Sequence, residues 1–181
     1  MNIIDHIFDI FRRNGEALYD GGEAVTQSQH ALQAATLAEQ EGGSQTLVAA
    51  ALLHDYGHVA DESEDTLDRP VDGKHELVGH RLLTEHFIDA VTEPGRLHVA
   101  AKRYLCAVET DYFDKLSPVS VRSLELQGGP MTESQTASFE SNPHCRDAVQ
   151  VRRYDEQAKD PEMTTPDFEH FRPCLEAGLR K

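Results

Sequence analysis

Six residues stand out for the chemistry their types allow: His30, His54, Asp55, His75, His98 and Asp155. The strongest signal is the run Ala49-Ala50-Ala51-Leu52-Leu53-His54-Asp55-Tyr56-Gly57-His58. An apolar stretch of good helix formers ends there on adjacent His and Asp. His54 and His58 are four apart and share a helix face. Asp55 points about 100° away from His54. A charged Asp closing a buried apolar helix is costly unless it is paired or ligated. Taken singly, each histidine reads as an ordinary hydrogen-bonded residue, and an isolated His-Asp pair as an ordinary helix end. Together, imidazoles and carboxylates carried on several helices can converge, as in the metal sites of helix bundles. This N/O donor set suits first-row transition metals, with iron, manganese and zinc all open. Six ligands are too many for one metal that must also bind substrate. Two metals bridged by Asp55 use them all and leave open positions.

Two further pairs bear on the ligand. His98 and Lys102 are i, i+4, and Arg152 and Asp155 are i, i+3, so each pair shares a helix face. A Lys and an Arg one turn from candidate ligands form a pocket for a phosphate or phosphonate. Each pair alone also reads as a solvated helix face. His6, His80, His86, His144 and His170 find no place in this set.

The elements that must position these residues read as helices throughout, giving one all-α domain over residues 1–181. Ile3, Ile4, Ile7, Phe8, Ile10 and Phe11 recur at helical spacing, in a helix ending near Asn14-Gly15. A second helix is predicted from about Glu23 to Glu41, and a third, capped by Ser44, carries the His-Asp pair. Asp61 to Gly73 is acidic and turn-rich, a candidate lid. Helices follow over Lys74–Ala90 and Gly95–Leu105. Another opens at Ser117-Pro118 and stops at Gln127-Gly128-Gly129-Pro130, and Thr132 with Gln135 forms a capping box. A long helix runs from Pro143 to about Lys159, and a last one from Thr165-Pro166 to about Gly178.

The net charge of −15 argues against a nucleic-acid partner, because phosphate backbones need a basic surface. It does not exclude a small anion held by a few buried cations. The longest apolar run, Leu47 to Leu53, is too short to span a bilayer, and the N-terminus lacks a basic segment before an apolar one. Cys106, Cys145 and Cys174 are isolated and read as free thiols. A cytoplasmic protein with no membrane partner is expected.

His30…His54-Asp55…Asp155 resembles the H…HD…D signature of the HD-domain superfamily, and His75 and His98 match the added ligands of its dinuclear members. Five stretches narrow the resemblance: Gly22-Glu23-Ala24, Ala50 to His58, His98-Val99-Ala100-Ala101-Lys102-Arg103-Tyr104-Leu105, Gln127-Gly128-Gly129-Pro130-Met131 and Arg152-Arg153-Tyr154-Asp155-Glu156. These are similar to the HD-domain mixed-valent diiron phosphonate oxygenases, over a metal-binding core of about residues 19–159.

The resemblance implies an Fe(II)/Fe(III) pair on His30, His54, Asp55, His75, His98 and Asp155, with Asp55 bridging and O2 as co-substrate. It implies that Lys102, Ser120, Ser123, Gln127 and Arg152 hold phosphonate oxygens, with Glu23 and His58 facing the amine and hydroxyl of a small zwitterionic substrate. The implied reaction is oxidative cleavage of a carbon–phosphorus bond. A 1-hydroxy-2-(trimethylammonio or amino)ethylphosphonate would yield phosphate and glycine betaine or glycine. Where a family member has a tyrosine that reaches an iron, this chain has Asp20, with Tyr19 one residue off. Either Tyr19 takes that role, or an acid replaces it; a further carboxylate beside Glu23 favours the trimethylammonio group. The alternative is a dinuclear HD phosphohydrolase acting on a small phosphate ester, its metals activating hydroxide. A metal-free binding module would leave four His and two Asp buried without purpose.

Overall fold

The buried alanines of Gln45–Leu53 set the architecture. This helix (α3) is apolar on every side, with Leu47 through Leu53 all buried, so it must be surrounded. The structure, a computed structural model, describes residues 2–19, 24–60 and 74–181. Before α3 come α1 (Ile3–Asn14) and α2 (Gln27–Gln40), and after it α4 (Tyr56–Ala60), α5 (His75–Leu83) and α6 (Asp89–Val108). The chain continues through α7 (Pro118–Leu126), α8 (Glu133–Glu140), α9 (Cys145–Gln157) and α10 (Arg172–Ala177). α3 packs against α2, α6, α9 and α10, and α6 lies along α9. Ala31, Ala34, Ala35 and Ala38 of α2 give α3 a flat, small-residue face. The described residues form no strand, only two isolated β-bridges, so the all-α expectation holds. Among them, no helix is long and apolar enough to cross a membrane.

Several predicted boundaries move. α2 starts at Gln27 rather than Glu23, because Thr26 caps it in a reciprocal pair with Gln29 and bridges back to Leu18. The predicted helix over Lys74–Ala90 stops at Leu83. Beyond it the backbone pairs with the C-terminus instead: Ile88 N–H donates to the Gly178 carbonyl at 2.9 Å and Arg180 N–H to the His86 carbonyl at 2.8 Å. The next helix starts at Asp89 rather than Gly95 and carries Pro94 inside it. The last helix starts at Arg172, not Thr165. Asp167 first caps a short 3-10 turn over Phe168–Phe171, and the Phe168 ring stacks on Phe11 at 4.7 Å. Residues 61–73, the candidate lid, lie outside the described residues, as do Asp20 and Glu23.

Between α3 and α4 the helix breaks at His54 and Asp55. The break lets adjacent residues serve two sides of one site. α5 then returns against α4 where two glycines meet: a Cβ on Gly57 would lie 2.1 Å from the His75 carbonyl oxygen, and one on Gly79 would lie 3.1 Å from Gly57 N. Only absent side chains allow that approach, and it delivers His75 to Asp55.

Candidate metal centre and anion cleft

Asp55 lies between two groups of histidines. Its Oδ2 is 3.5 Å from His30 Nε2 and 3.3 Å from His54 Nε2, and its Oδ1 is 3.2 Å from His75 Nε2 and 3.5 Å from His98 Nε2. Asp155 joins the first group, its Oδ1 3.5 Å from His30 Nε2. The six residues come from α2, the α3–α4 break, α5, α6 and α9. All but His75 are buried. The structure therefore brings together every residue that the sequence marks as a candidate ligand.

Three of the histidines, His30, His54 and His98, are preset as metal donors. His30 Nδ1 bonds the Ala158 carbonyl at 2.8 Å, His54 Nδ1 that of Ala51 at 2.8 Å, and His98 Nδ1 that of Gly95 at 2.6 Å. A carbonyl only accepts, so each of these Nδ1 atoms carries a proton and each Nε2 is turned inward as the nitrogen that would ligate a metal. The Nε2 atoms meet at close range, 3.1 Å between His30 and His54 and 3.3 Å between His75 and His98. Asp55 Oδ1 is buried and has no hydrogen-bond partner among the described residues. Inward-facing imidazole nitrogens and an unsatisfied carboxylate oxygen fit two cations, one on each side of Asp55.

The electrostatics agree. Burial and the Arg152 guanidinium act oppositely on the Asp155 carboxyl, and with His54 and His30 the guanidinium holds it well below the usual range. Asp55, buried too, is held down by His54 and His75. Burial drives His98 down to about 3 despite Asp55, so it is neutral. His54 differs: burial lowers its pKa, but Asp55 and Asp155 more than reverse this and raise it to about 9.

A cleft of about 50 Å³ opens beside this centre, lined in part by Tyr19, His75, His98, Lys102, Arg152 and Asp155. Ser120, Ser123 and Gln127 line it as well, brought by α7. Lys102 Nζ donates to Ser123 Oγ at 2.6 Å, and Ser123 Oγ to the Ser120 carbonyl at 3.0 Å. Tyr19 is the nearby aromatic: its ring stacks on His30 at 3.8 Å and its hydroxyl donates to Asp155 Oδ1 at 3.1 Å. His58 stacks on His75 at 3.9 Å, and its ring clusters with Asp55 and His75 closely enough for a shared metal.

Arg152, expected to face the anion, is already committed. Its Nη1 donates to Asp155 Oδ2 at 2.5 Å, its Nη2 to Glu156 Oε1 at 2.6 Å and its Nε to Tyr112 Oη at 3.1 Å. The sequence reading missed three neighbours. Glu156 is i, i+4 from Arg152, and Lys159, which lines the cleft, is i, i+4 from Asp155; that spacing could have found both. Tyr112 sits in a connection with no periodicity to mark it.

The fold and this centre define the class. Residues 28–117 match the HD domain family. The chain is 44% identical to the [1-hydroxy-2-(trimethylamino)ethyl]phosphonate dioxygenase (glycine-betaine-forming) of Leisingera caerulea, over 99% of this chain and 92% of that one. It is also 44% identical to the hydroxymethylphosphonate dioxygenase of Gimesia maris, over 97% of this chain and 88% of that one. An uncharacterized protein of Acanthamoeba polyphaga mimivirus is 33% identical over 86% of this chain and 72% of its own. The protein belongs to the HD-domain phosphonate oxygenases. It is an O2-dependent enzyme of phosphonate degradation whose family is metal-dependent.

Proposed function

We propose that the protein is a mixed-valent diiron oxygenase that cleaves the carbon–phosphorus bond of 1-hydroxy-2-(trimethylammonio)ethylphosphonate, releasing phosphate and glycine betaine. The amino analogue, giving glycine, falls in the same reading. The observation that carries it is Asp55 set between two inward-facing histidine pairs. The Leisingera relative's near-complete coverage supports the substrate. His30, His54, Asp55 and Asp155 would hold one iron, and Asp55, His75 and His98 the other. Residues 1–181 act as one domain in this reading.

When bound, the iron pair supplies the oxidation of C1 by O2 that breaks the bond to phosphorus. The chain supplies placement. Lys102, held by Ser123, meets the phosphonate as a buried cation, with Ser120 and Gln127 donating beside it. Arg152 closes that wall of the cleft. His58 is assigned to the hydroxyl end and Tyr19 to the amine end, and the sequence positions of Asp20 and Glu23 assign them to the amine as well. Burial of the centre keeps water off the reacting carbon.

A second reading, hydroxymethylphosphonate as substrate, is favoured by the equal identity to the Gimesia relative and by the small free space beside the centre. The test is phosphate release by the iron-loaded enzyme from all three phosphonates, with and without O2. The proposal expects O2-dependent release, fastest with the trimethylammonio compound. A higher kcat/KM for hydroxymethylphosphonate selects the second reading, and O2-independent release from phosphate esters overturns both in favour of a phosphohydrolase.

A further inference from the structure

Asp155 is buried at the end of a chain of side chains that leads away from the cleft. Arg152, Asp155 and Glu156 lie on one face of α9 at i, i+3 and i+4. The Arg152 guanidinium donates to both carboxylates, and its third nitrogen donates to Tyr112 Oη. Tyr112 closes the ring by donating its own hydroxyl proton to Glu156 Oε1 at 2.7 Å. Tyr112 belongs to the connection between α6 and α7, yet it is buried, and an Arg153–Glu109 ion pair clips the same connection to α9. Neither Tyr112 nor Glu156 lines the cleft.

We propose that Tyr112 and Glu156 are positioning residues for Asp155, acting through Arg152, and that they set how tightly the metal centre holds its ions. The inference rests on the reading of Asp155 as a metal ligand.

Two physical points carry it. The first is orientation. A long arginine held only by Asp155 would keep its rotamer freedom, and Asp155 would move with it. Bonds at all three nitrogens fix the planar fork and with it Asp155 Oδ2, leaving Oδ1 toward His30. The second is charge. One guanidinium against one carboxylate would neutralise Asp155 as a donor to metal. With Glu156 present, one cation is shared between two carboxylates, and Asp155 keeps net negative character toward the histidine side. The same sharing leaves Lys102 as the cation that answers the substrate's phosphonate.

The test uses iron-loaded Glu156→Gln and Tyr112→Phe, each close in shape to the parent residue. Three quantities are compared with the unaltered holoenzyme: iron retained against a competing chelator, the electron paramagnetic resonance signal of the iron pair, and KM separately from kcat. Loss of a residue that orients a ligand typically weakens metal affinity by about 10–100-fold. That loss is expected for Glu156→Gln and a smaller one for Tyr112→Phe, with a shifted spectrum, reduced kcat and KM within about twofold. Unchanged iron retention and spectrum with a raised KM would overturn the inference and assign the network to substrate binding. A lowered melting temperature with unchanged retention would overturn it in favour of a purely structural role. If Tyr112→Phe does not fold, Glu156→Gln alone decides. If the unaltered protein itself binds no metal, the reading of the centre fails instead.

Discussion

The Nε2 atoms of His30 and His54 face each other at 3.1 Å, and both rings donate their Nδ1–H to a backbone carbonyl. Two lone pairs cannot hold that distance without a cation between or beside them. In the metal-free protein the cation is a proton on His54, whose pKa is raised from 6.5 to about 9 because Asp55 and Asp155 outweigh burial. A raised pKa means the protonated form stabilises the fold. That contribution is full below pH 6.5 and is lost as pH rises through about 9. Metal competes for the same site. Metal affinity is therefore expected to rise by up to about tenfold per pH unit below that point and to level off above it. His98, neutral already, adds no proton to the exchange. Chelator competition across pH checks this; a flat profile between pH 6 and 8.5 would refute it.

Gly57→Ala is expected to weaken the half of the centre that His75 completes. The new methyl would sit 2.1 Å from the His75 carbonyl, so α5 must shift. Overpacking of this kind costs about 1–3 kcal/mol, and the displaced backbone carries His75 away from Asp55. Metal content should fall from two ions toward one per chain, with the His30–His54 side still loaded. Two retained ions would show that α5 yields without moving its histidine.

Lys102 and Arg152 should separate on substitution, although the sequence makes them look alike. Lys102 donates to Ser123 Oγ in the cleft wall, one turn beyond His98 on α6. Lys102→Ala is expected to raise KM by roughly 10–100-fold, a charge-assisted bond being worth about 1.5–3 kcal/mol, with iron retained. Arg152→Ala strands the buried Asp155 carboxylate and the half-buried Glu156, and costs about 3–5 kcal/mol of stability. It should lose iron as well as activity. Metal analysis of the two purified variants decides this.

The candidate ligands were legible because their types are rare in helices of this kind and their chemistry is specific. His30, His54, Asp55, His75, His98 and Asp155 needed no knowledge of packing beyond convergence. The commitments of Arg152 were not legible in full. Its i, i+3 partner Asp155 was visible, but Tyr112 arrives from a connection that no periodicity marks. Element boundaries failed where distant backbone intervened, as when the C-terminus takes the hydrogen bonds of His86 and Ile88. The break at His54-Asp55 was half legible: an apolar helix ending on charge announces a stop, whereas the restart at Tyr56 depends on the Gly57–Gly79 contact.

Lys159 bears on the choice between substrates. Its Nζ lies 5.6 Å from the centroid of the Tyr19 ring, and both residues line the cleft. An aromatic face is what a quaternary ammonium seeks, and here a cation already lies over it. A trimethylammonio group approaching Tyr19 would meet the Lys159 charge, whereas hydroxymethylphosphonate carries no such group. Two like charges a few ångströms apart near a protein surface repel by about 1 kcal/mol or more, roughly fivefold in rate. Lys159→Met is therefore expected to raise kcat/KM for the trimethylammonio substrate relative to hydroxymethylphosphonate by at least that factor. Iron content should not change, because methionine keeps the bulk over the Tyr19 ring and leaves the six candidate ligands in place. The measurement is the ratio of the two kcat/KM values, taken at low salt, where screening is weak, and again at high salt. A ratio that stays constant in the variant would remove Lys159 from substrate choice and leave that role to Asp20 and Glu23.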